Sequence, residues 1–259
     1  MKENIDGIDM HFEVSGSGPW VTLSHSLGAD FGMWEPQLAL LNQHFTVLRY
    51  DTRGHGQTQA TDGPYTLEQL ADDAYRLLEH LGVTRTHWVG LSLGGMIGQV
   101  FAIRYPNLID HAVIANSTGK VAPNAAVMWG DRIMIARTQG MAALVQPTLS
   151  RWFTEPFREK HTELMAHIGQ MIESTQVQGY AGCCAAISKI DTHEELKKLN
   201  VPALVIVGDQ DLALPPAMSE QIHEHWPKSK YVVLKDAAHL SNLEQASTFN
   251  DAIMKFLVD

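Results

Sequence analysis

Short apolar runs rich in β-branched residues recur along this chain, and helical patterns separate them. Ile8–Val14, Val21–Ser24, Phe45–Tyr50, Thr86–Gly90, Ala112–Ala115, Ala203–Val207 and Tyr231–Leu234 each read as a strand. Several are almost wholly apolar, as a strand covered on both faces must be. Strands that alternate with helices return to the sheet in the same direction, so the pattern predicts an α/β fold: a mostly parallel sheet flanked by helices. With 259 residues there is chain enough for a full core in one domain with an insertion.

The helices carry their own punctuation. Thr66 with Gln69 makes a capping-box pattern, and Leu67, Leu70, Ala71, Ala74, Leu77, Leu78 and Leu81 follow at helical spacing until Gly82. Pro36 and Pro216 stand where a first helical turn begins, and Pro106 lies just past a helix end. From Asn124 to Leu196 the strand rhythm stops. Amphipathic helices are expected there over Ala125–Thr138, Met141–Ser150, Pro156–Ser174 and Gly179–Ser188. The expected organisation is therefore a core of residues 1–123 and 197–259, with residues 124–196 inserted as a helical lid.

Charge and composition narrow the partners. The net charge of −10 opposes binding to nucleic acid or an anionic membrane, because phosphates would repel the chain. No apolar stretch has the length of a membrane span, and the first residues lack the apolar core of a signal peptide. Cys183 and Cys184 are neighbours and make no disulfide framework, which points to a reducing cytoplasm. No Cys/His/Asp cluster has zinc-like spacing, so neither metal nor other cofactor is expected. Oligomeric state is not legible. The partner this leaves is a small molecule.

Gly90-Leu91-Ser92-Leu93-Gly94 contains G-x-S-x-G between an expected strand and a helix expected over Met96–Tyr105. That setting gives the motif its chemistry. A serine on a sharp strand-to-helix turn is exposed at a helix N-terminus, where the dipole favours developing negative charge, and the flanking glycines let the two arms pass. Ser92 is the candidate nucleophile. Two later strands end in polar turns: Val205–Val207 runs into Gly208-Asp209-Gln210-Asp211, and Tyr231–Leu234 into a loop ending at His239. Sites in open α/β sheets gather at such strand ends. His223 and His225 are two apart on an expected helix and read as solvated, while His55 reads as tying down a tight loop.

In these features the chain resembles the α/β-hydrolase superfamily over essentially its whole length. The family's chain order of serine, acid and histidine implies a triad of Ser92, Asp211 and His239. Asp209 is the rival acid; the family's G-x-x-D pattern favours Asp211. The histidine would serve as base and the aspartate would orient it. The resemblance also implies an oxyanion hole from the backbone N–H groups of Leu93 and Leu27. His25 and Ser26 beside it could line the site. Many members carry His-Gly here, and Ser26 departs from that.

More narrowly, the chain is similar to 3-oxoadipate enol-lactonases. The match lies in Ser24–Asp30 with Met33-Trp34, in Arg49–Gly56, in Gly90–Gln99, in the lid segments Arg137–Met141 and Arg151–Thr154, and in Ala238–Glu244. This resemblance implies ring opening of an enol-lactone, by attack of Ser92 or of a water activated by His239. The substrate carries a carboxylate, so Arg132, Arg137 and Arg151 are candidate cations, and Trp129 and Trp152 candidate ring-packing surfaces. Trp129, Arg132, Trp152 and His25 are the expected substrate-binding residues. General esterase, C–C hydrolase and perhydrolase chemistry use the same machinery, and a ligand receptor on this fold is the non-enzyme alternative.

Overall fold

The computed structural model describes residues 1–258. The apolar runs form one eight-stranded sheet: β1 (Lys2–Ile5), β2 (Ile8–Gly16), β3 (Trp20–Ser24), β4 (Thr46–Tyr50), β5 (Thr86–Leu91), β6 (Ile109–Ala115), β7 (Ala203–Gly208) and β8 (Ser229–Leu234). Their spatial order is β1-β2-β4-β3-β5-β6-β7-β8. The first two pairings are antiparallel and all others parallel. The fold is thus the expected α/β sheet. Every residue of β5 and β7 is buried, as central strands between helical layers require.

The first strand was not legible. Lys2–Ile5 offers a single apolar residue, but Asp6 and Gly7 both take positive φ and close a two-residue hairpin to β2. The Asp-Gly pair was the available signal.

Between the strands run α1 (Glu35–Leu41), α2 (Leu67–His80) and α3 (Leu93–Arg104). The Thr66 hydroxyl accepts from Gln69 N at 3.1 Å and starts α2, which buries the expected leucine and alanine face. Helix α3 begins three residues earlier than its apolar pattern indicates. Ser92 turns the chain in one residue, so Gly94 and Gly95 lie in the first helical turn rather than before it.

Between β6 and β7 come α4 (Ala125–Gln139), α5 (Ala142–Trp152), α6 (Glu155–Lys160), α7 (Thr162–Ser174), α8 (Val177–Ile187) and α9 (His193–Leu196). The expected single helix over Pro156–Ser174 is two, broken at His161 (φ −117°, ψ 51°). α6 buries no residue, whereas α7 buries Met165, Ile168, Met171 and Ile172. Only the second piece has an apolar face to fix its direction. The chain finishes with α10 (Pro216–His225), α11 (Ser241–Glu244) and α12 (Ala246–Leu257) around β8.

Parallel register decides where chemistry can gather. Ser24 pairs with Tyr50 and Gly90, Leu91 with Ala115, and Gly208 with Leu234. The loops that follow these residues therefore emerge on one edge of the sheet. The α4–α8 segment meets that edge by a glycine-on-glycine contact. A Cβ on Gly179 would stand 2.3 Å from the Gly54 carbonyl oxygen, and Gly54 itself has φ +74°. No side chain fits between these backbones.

Gly179→Ala is accordingly expected to cost on the order of 2 kcal/mol or more through overpacking. Gly130→Ala, in α4 with open space around its Cβ, is expected to gain about 0.5–1 kcal/mol from helix propensity. Chemical denaturation of both variants checks the pair, and equal effects would refute the close-packed reading of Gly54 and Gly179.

Candidate active site

β5 delivers Ser92 in a conformation that non-glycine residues avoid, φ 58° and ψ −114°. Three contacts hold it there. Ser92 N donates to Ala115 O at 2.9 Å, the Ser117 hydroxyl donates to Ser92 O at 2.9 Å, and the Trp88 indole donates to Gly94 O at 3.1 Å. The turn has no room for side chains beside the serine. A Cβ on Gly90 would lie 2.1 Å from Gly94 O, and one on Gly94 only 2.0 Å from Ser24 O.

His239 stands after β8, buried to 2 % exposure. Its Nδ1 lies 2.8 Å from Asp211 Oδ2. All four favourable positions on the Asp211 carboxylate are filled. Oδ2 also accepts from Asn116 Nδ2 at 3.0 Å, while Oδ1 accepts from the N–H groups of Ala213 and Leu214 at 2.8 and 2.9 Å. Asp209, the rival acid, instead lies 3.4 Å from Lys235 Nζ on the turn.

Asn116 was not singled out by sequence reasoning. It follows β6 with φ 45°, and its amide also donates to Ala238 O at 3.1 Å while its carbonyl accepts from the Ser241 hydroxyl at 2.5 Å. A polar residue directly after an apolar strand, at the same sheet edge as Ser92 and Asp211, was the signal for it.

Ser92 and His239 open onto one cavity of about 290 Å³. Leu27, Trp129, Arg132 and Trp152 line it, and so does Arg151. Arg137 does not; it borders a separate hollow with Asp62 and Ala181. The Arg132 guanidinium lies 4.9 Å from the Trp129 ring centre and has no carboxylate partner among the described residues. The Trp129 indole N–H is buried with no acceptor among the described residues. Trp152 tilts over His239 with ring centres 6.3 Å apart. Leu93 is fully buried in the first turn of α3, where a helix has no internal acceptor for its N–H.

The structure corrects the expectation for His25. It is fully buried and is not among the residues lining the cavity. Its Nε2 accepts from Thr52 N at 2.8 Å, so the neutral ring must carry its proton on Nδ1, which donates to Ser26 O at 2.8 Å. Ser26 O also accepts from Ala29 N. Two donors thus fix the Ser26–Leu27 peptide plane, and planarity turns the Leu27 N–H the opposite way. His25 shapes the loop because its ring nitrogens are both used by backbone.

The other histidines also find partners. His55 ties its loop as expected, with Nδ1 3.3 Å from Arg53 O. Burial, and then the His25 ring 5.4 Å away, push its pKa down to about 3. His223 and His225 are half-buried rather than solvated. His223 Nδ1 lies 2.7 Å from the Ser229 hydroxyl, and His225 stacks on His193 at 4.1 Å.

One carboxylate sutures the cavity wall to the histidine loop. Glu244 accepts from Ala238 N at 2.8 Å, from Thr154 N at 3.0 Å and from the Thr154 hydroxyl. Alongside, Leu240 N donates to Trp152 O at 3.0 Å.

Comparison with known proteins identifies the family. Residues 19–246 match the family model described as alpha/beta hydrolase fold. The chain is 35 % identical to 3-oxoadipate enol-lactonase 2 of Acinetobacter baylyi, over 91 % of this chain and 87 % of that one. It is 30 % identical to the protein named as carbamate hydrolase RutD in Agrobacterium fabrum, over 96 % and 98 %. Among solved structures, the enol-lactonase from Burkholderia xenovorans LB400 superposes with a TM-score of 0.96 at 39 % identity, covering all of both chains.

The His55 shift has a direction that can be checked. Its pKa falls from the ordinary 6.5 to about 3 on folding. The stability this represents is fully present above about pH 6.5 and is lost progressively as pH falls toward 3. In an NMR titration the His55 imidazole is expected to stay neutral down to pH 4, and ¹⁵N shifts are expected to show the Nδ1–H tautomer for His25. Protonation of His55 near pH 6 would refute the buried placement.

Proposed function

This chain belongs to the α/β-hydrolase family, and from that premise we propose that it hydrolyses a small carboxylic ester or lactone, with 3-oxoadipate enol-lactone as its substrate and 3-oxoadipate as product. The observation that carries this reading is one cavity holding Ser92, His239 and an arginine, Arg132, that no carboxylate among the described residues neutralises. In a chain of net charge −10, an unpaired cation in a largely buried cavity favours an anionic ligand. The similarity to enol-lactonases over nearly the whole chain supports the same substrate class.

His239, turned by Asp211 so that Nε2 is its free nitrogen, takes the Ser92 proton as Oγ attacks the lactone carbonyl. Asp211 stabilises the imidazolium. The developing oxyanion lies against the N–H groups of Leu93, at the head of α3, and Leu27, whose peptide His25 fixes. The ring C–O bond breaks, and His239 returns the proton to the enolate oxygen. The enol tautomerises to the ketone, which draws the reaction forward. Water deprotonated by His239 then cleaves the acyl-enzyme. Arg132 holds the substrate carboxylate, and Trp129 and Trp152 pack on the flat ring.

Residues 124–196 act as the lid in this reading. Their α4 and α5 carry Trp129, Arg132 and Trp152, while the elements of 1–123 and 197–259 carry the triad. Both cysteines are buried and free, in keeping with a reducing cytoplasm as the working compartment.

Turnover of 3-oxoadipate enol-lactone is expected to exceed that of p-nitrophenyl acetate by orders of magnitude in kcat/KM, with Ser92→Ala abolishing both while leaving Tm within a few degrees. Arg132→Met is expected to raise KM for the anionic lactone about 10–100-fold, the worth of a charge-assisted contact, and to spare the neutral ester. Hydrolysis of the ester alone would make the chain a general esterase. Equal losses on both substrates in the arginine variant would remove Arg132 from carboxylate recognition.

A further inference from the structure

The loop between β3 and α1 holds a hydroxyl that the fold does not use. Ser26 is 1 % exposed, and its Oγ is buried with no hydrogen-bond partner among the described residues. The rest of the residue is fully engaged. Its N–H donates to Met33 Sδ at 3.3 Å, and its carbonyl accepts from Ala29 N and His25 Nδ1. A buried hydroxyl without a partner destabilises a fold, because its hydration is lost and nothing replaces it. Such groups call for an explanation beyond packing. Ser26 lines the same cavity as Ser92 and His239, and it directly precedes Leu27.

We propose that the Ser26 hydroxyl is a third hydrogen-bond donor to the carbonyl oxygen of the bound ester or lactone, joining the backbone N–H groups of Leu27 and Leu93. This rests on the reading of Ser92 as the nucleophile. Ser26 exchanges no proton with the substrate. Its O–H keeps its hydrogen throughout and turns toward the oxygen as negative charge builds there, so its contribution grows from ground state to transition state. The fixed peptide plane explains why a side-chain donor can work here. With the Ser26 carbonyl held by two donors, the backbone that carries both its hydroxyl and the following Leu27 N–H is fixed, and only the side chain is left to turn. No base stands within hydrogen-bond reach of Oγ among the described residues, so a second nucleophile is not what this hydroxyl supplies.

The test compares wild type, Ser26→Ala and Ser26→Thr with p-nitrophenyl acetate, together with Ser92 inactivation by a p-nitrophenyl phosphonate. The phosphonate also develops charge on an oxygen in the hole but does not depend on lactone recognition. In Ser26→Ala, kcat is expected to fall on the order of 10–100-fold with KM within about threefold, the phosphonate reaction to slow by a similar factor, and Tm to hold or rise. Ser26→Thr, which keeps the hydroxyl, is expected to recover most of the rate. Unchanged kcat and phosphonate rates in Ser26→Ala would overturn the proposal while leaving Ser92 in place. A lowered Tm with both rates lost alike in the alanine and threonine variants would overturn it in favour of a packing role. A wild-type chain inert to both reagents would overturn the nucleophile reading, and this proposal with it.

Discussion

The Asp211 carboxylate is the point at which the separate strand ends become one site. Its four acceptor positions are taken by His239 after β8, by Asn116 after β6, and by two N–H groups of its own loop after β7. A carboxylate at 2 % exposure is tolerable only when its lone pairs are met, and here the groups that meet them come from three connections. Satisfying one buried charge therefore fixes the relative positions of loops up to 122 residues apart in sequence, since Asn116 also reaches Ala238. The histidine ring is oriented as a consequence.

The serine depends on a different constraint. Its positive φ is strained, and the strain persists because Gly90, Gly94 and the Ser24 carbonyl are packed so closely that no relaxed turn has room. The same crowding brings the end of β3 against the head of α3. The loop that starts at the next residue is thereby set against the same cavity as Ser92. His25 completes that arrangement through a tautomer dictated by a backbone donor. Close-packed backbone, pinned by buried side-chain donors, sets the geometry around Ser92.

The covering helices are attached as firmly as the core loops. Glu244 joins Thr154 to Ala238, Leu240 joins Trp152, and Gly54 meets Gly179 without intervening side chains. The first two links put the cavity wall and the His239 loop under one set of hydrogen bonds. A change in the α5–α6 turn is thus felt at His239 directly, through Trp152 and the residues on either side of the histidine.

What the sequence determined by itself was the class of fold and the local pieces of the site. Apolar strand runs, the Thr66 cap and the G-x-S-x-G turn are short-range features, and propensity, periodicity and steric crowding act within a few residues. The β1 strand escaped because four residues with one apolar side chain give no period. The break at His161 escaped because only packing of the α7 face reveals it. Tertiary structure alone decided which polar residues work together. Asn116, Glu244 and His25 are single polar residues whose meaning lies in partners as far as 125, 90 and 27 positions away, and no local pattern encodes such a pairing. Ser26 shows the same limit from the other side: that its hydroxyl has no partner among the described residues becomes visible only once every neighbour that could have bonded it is in place.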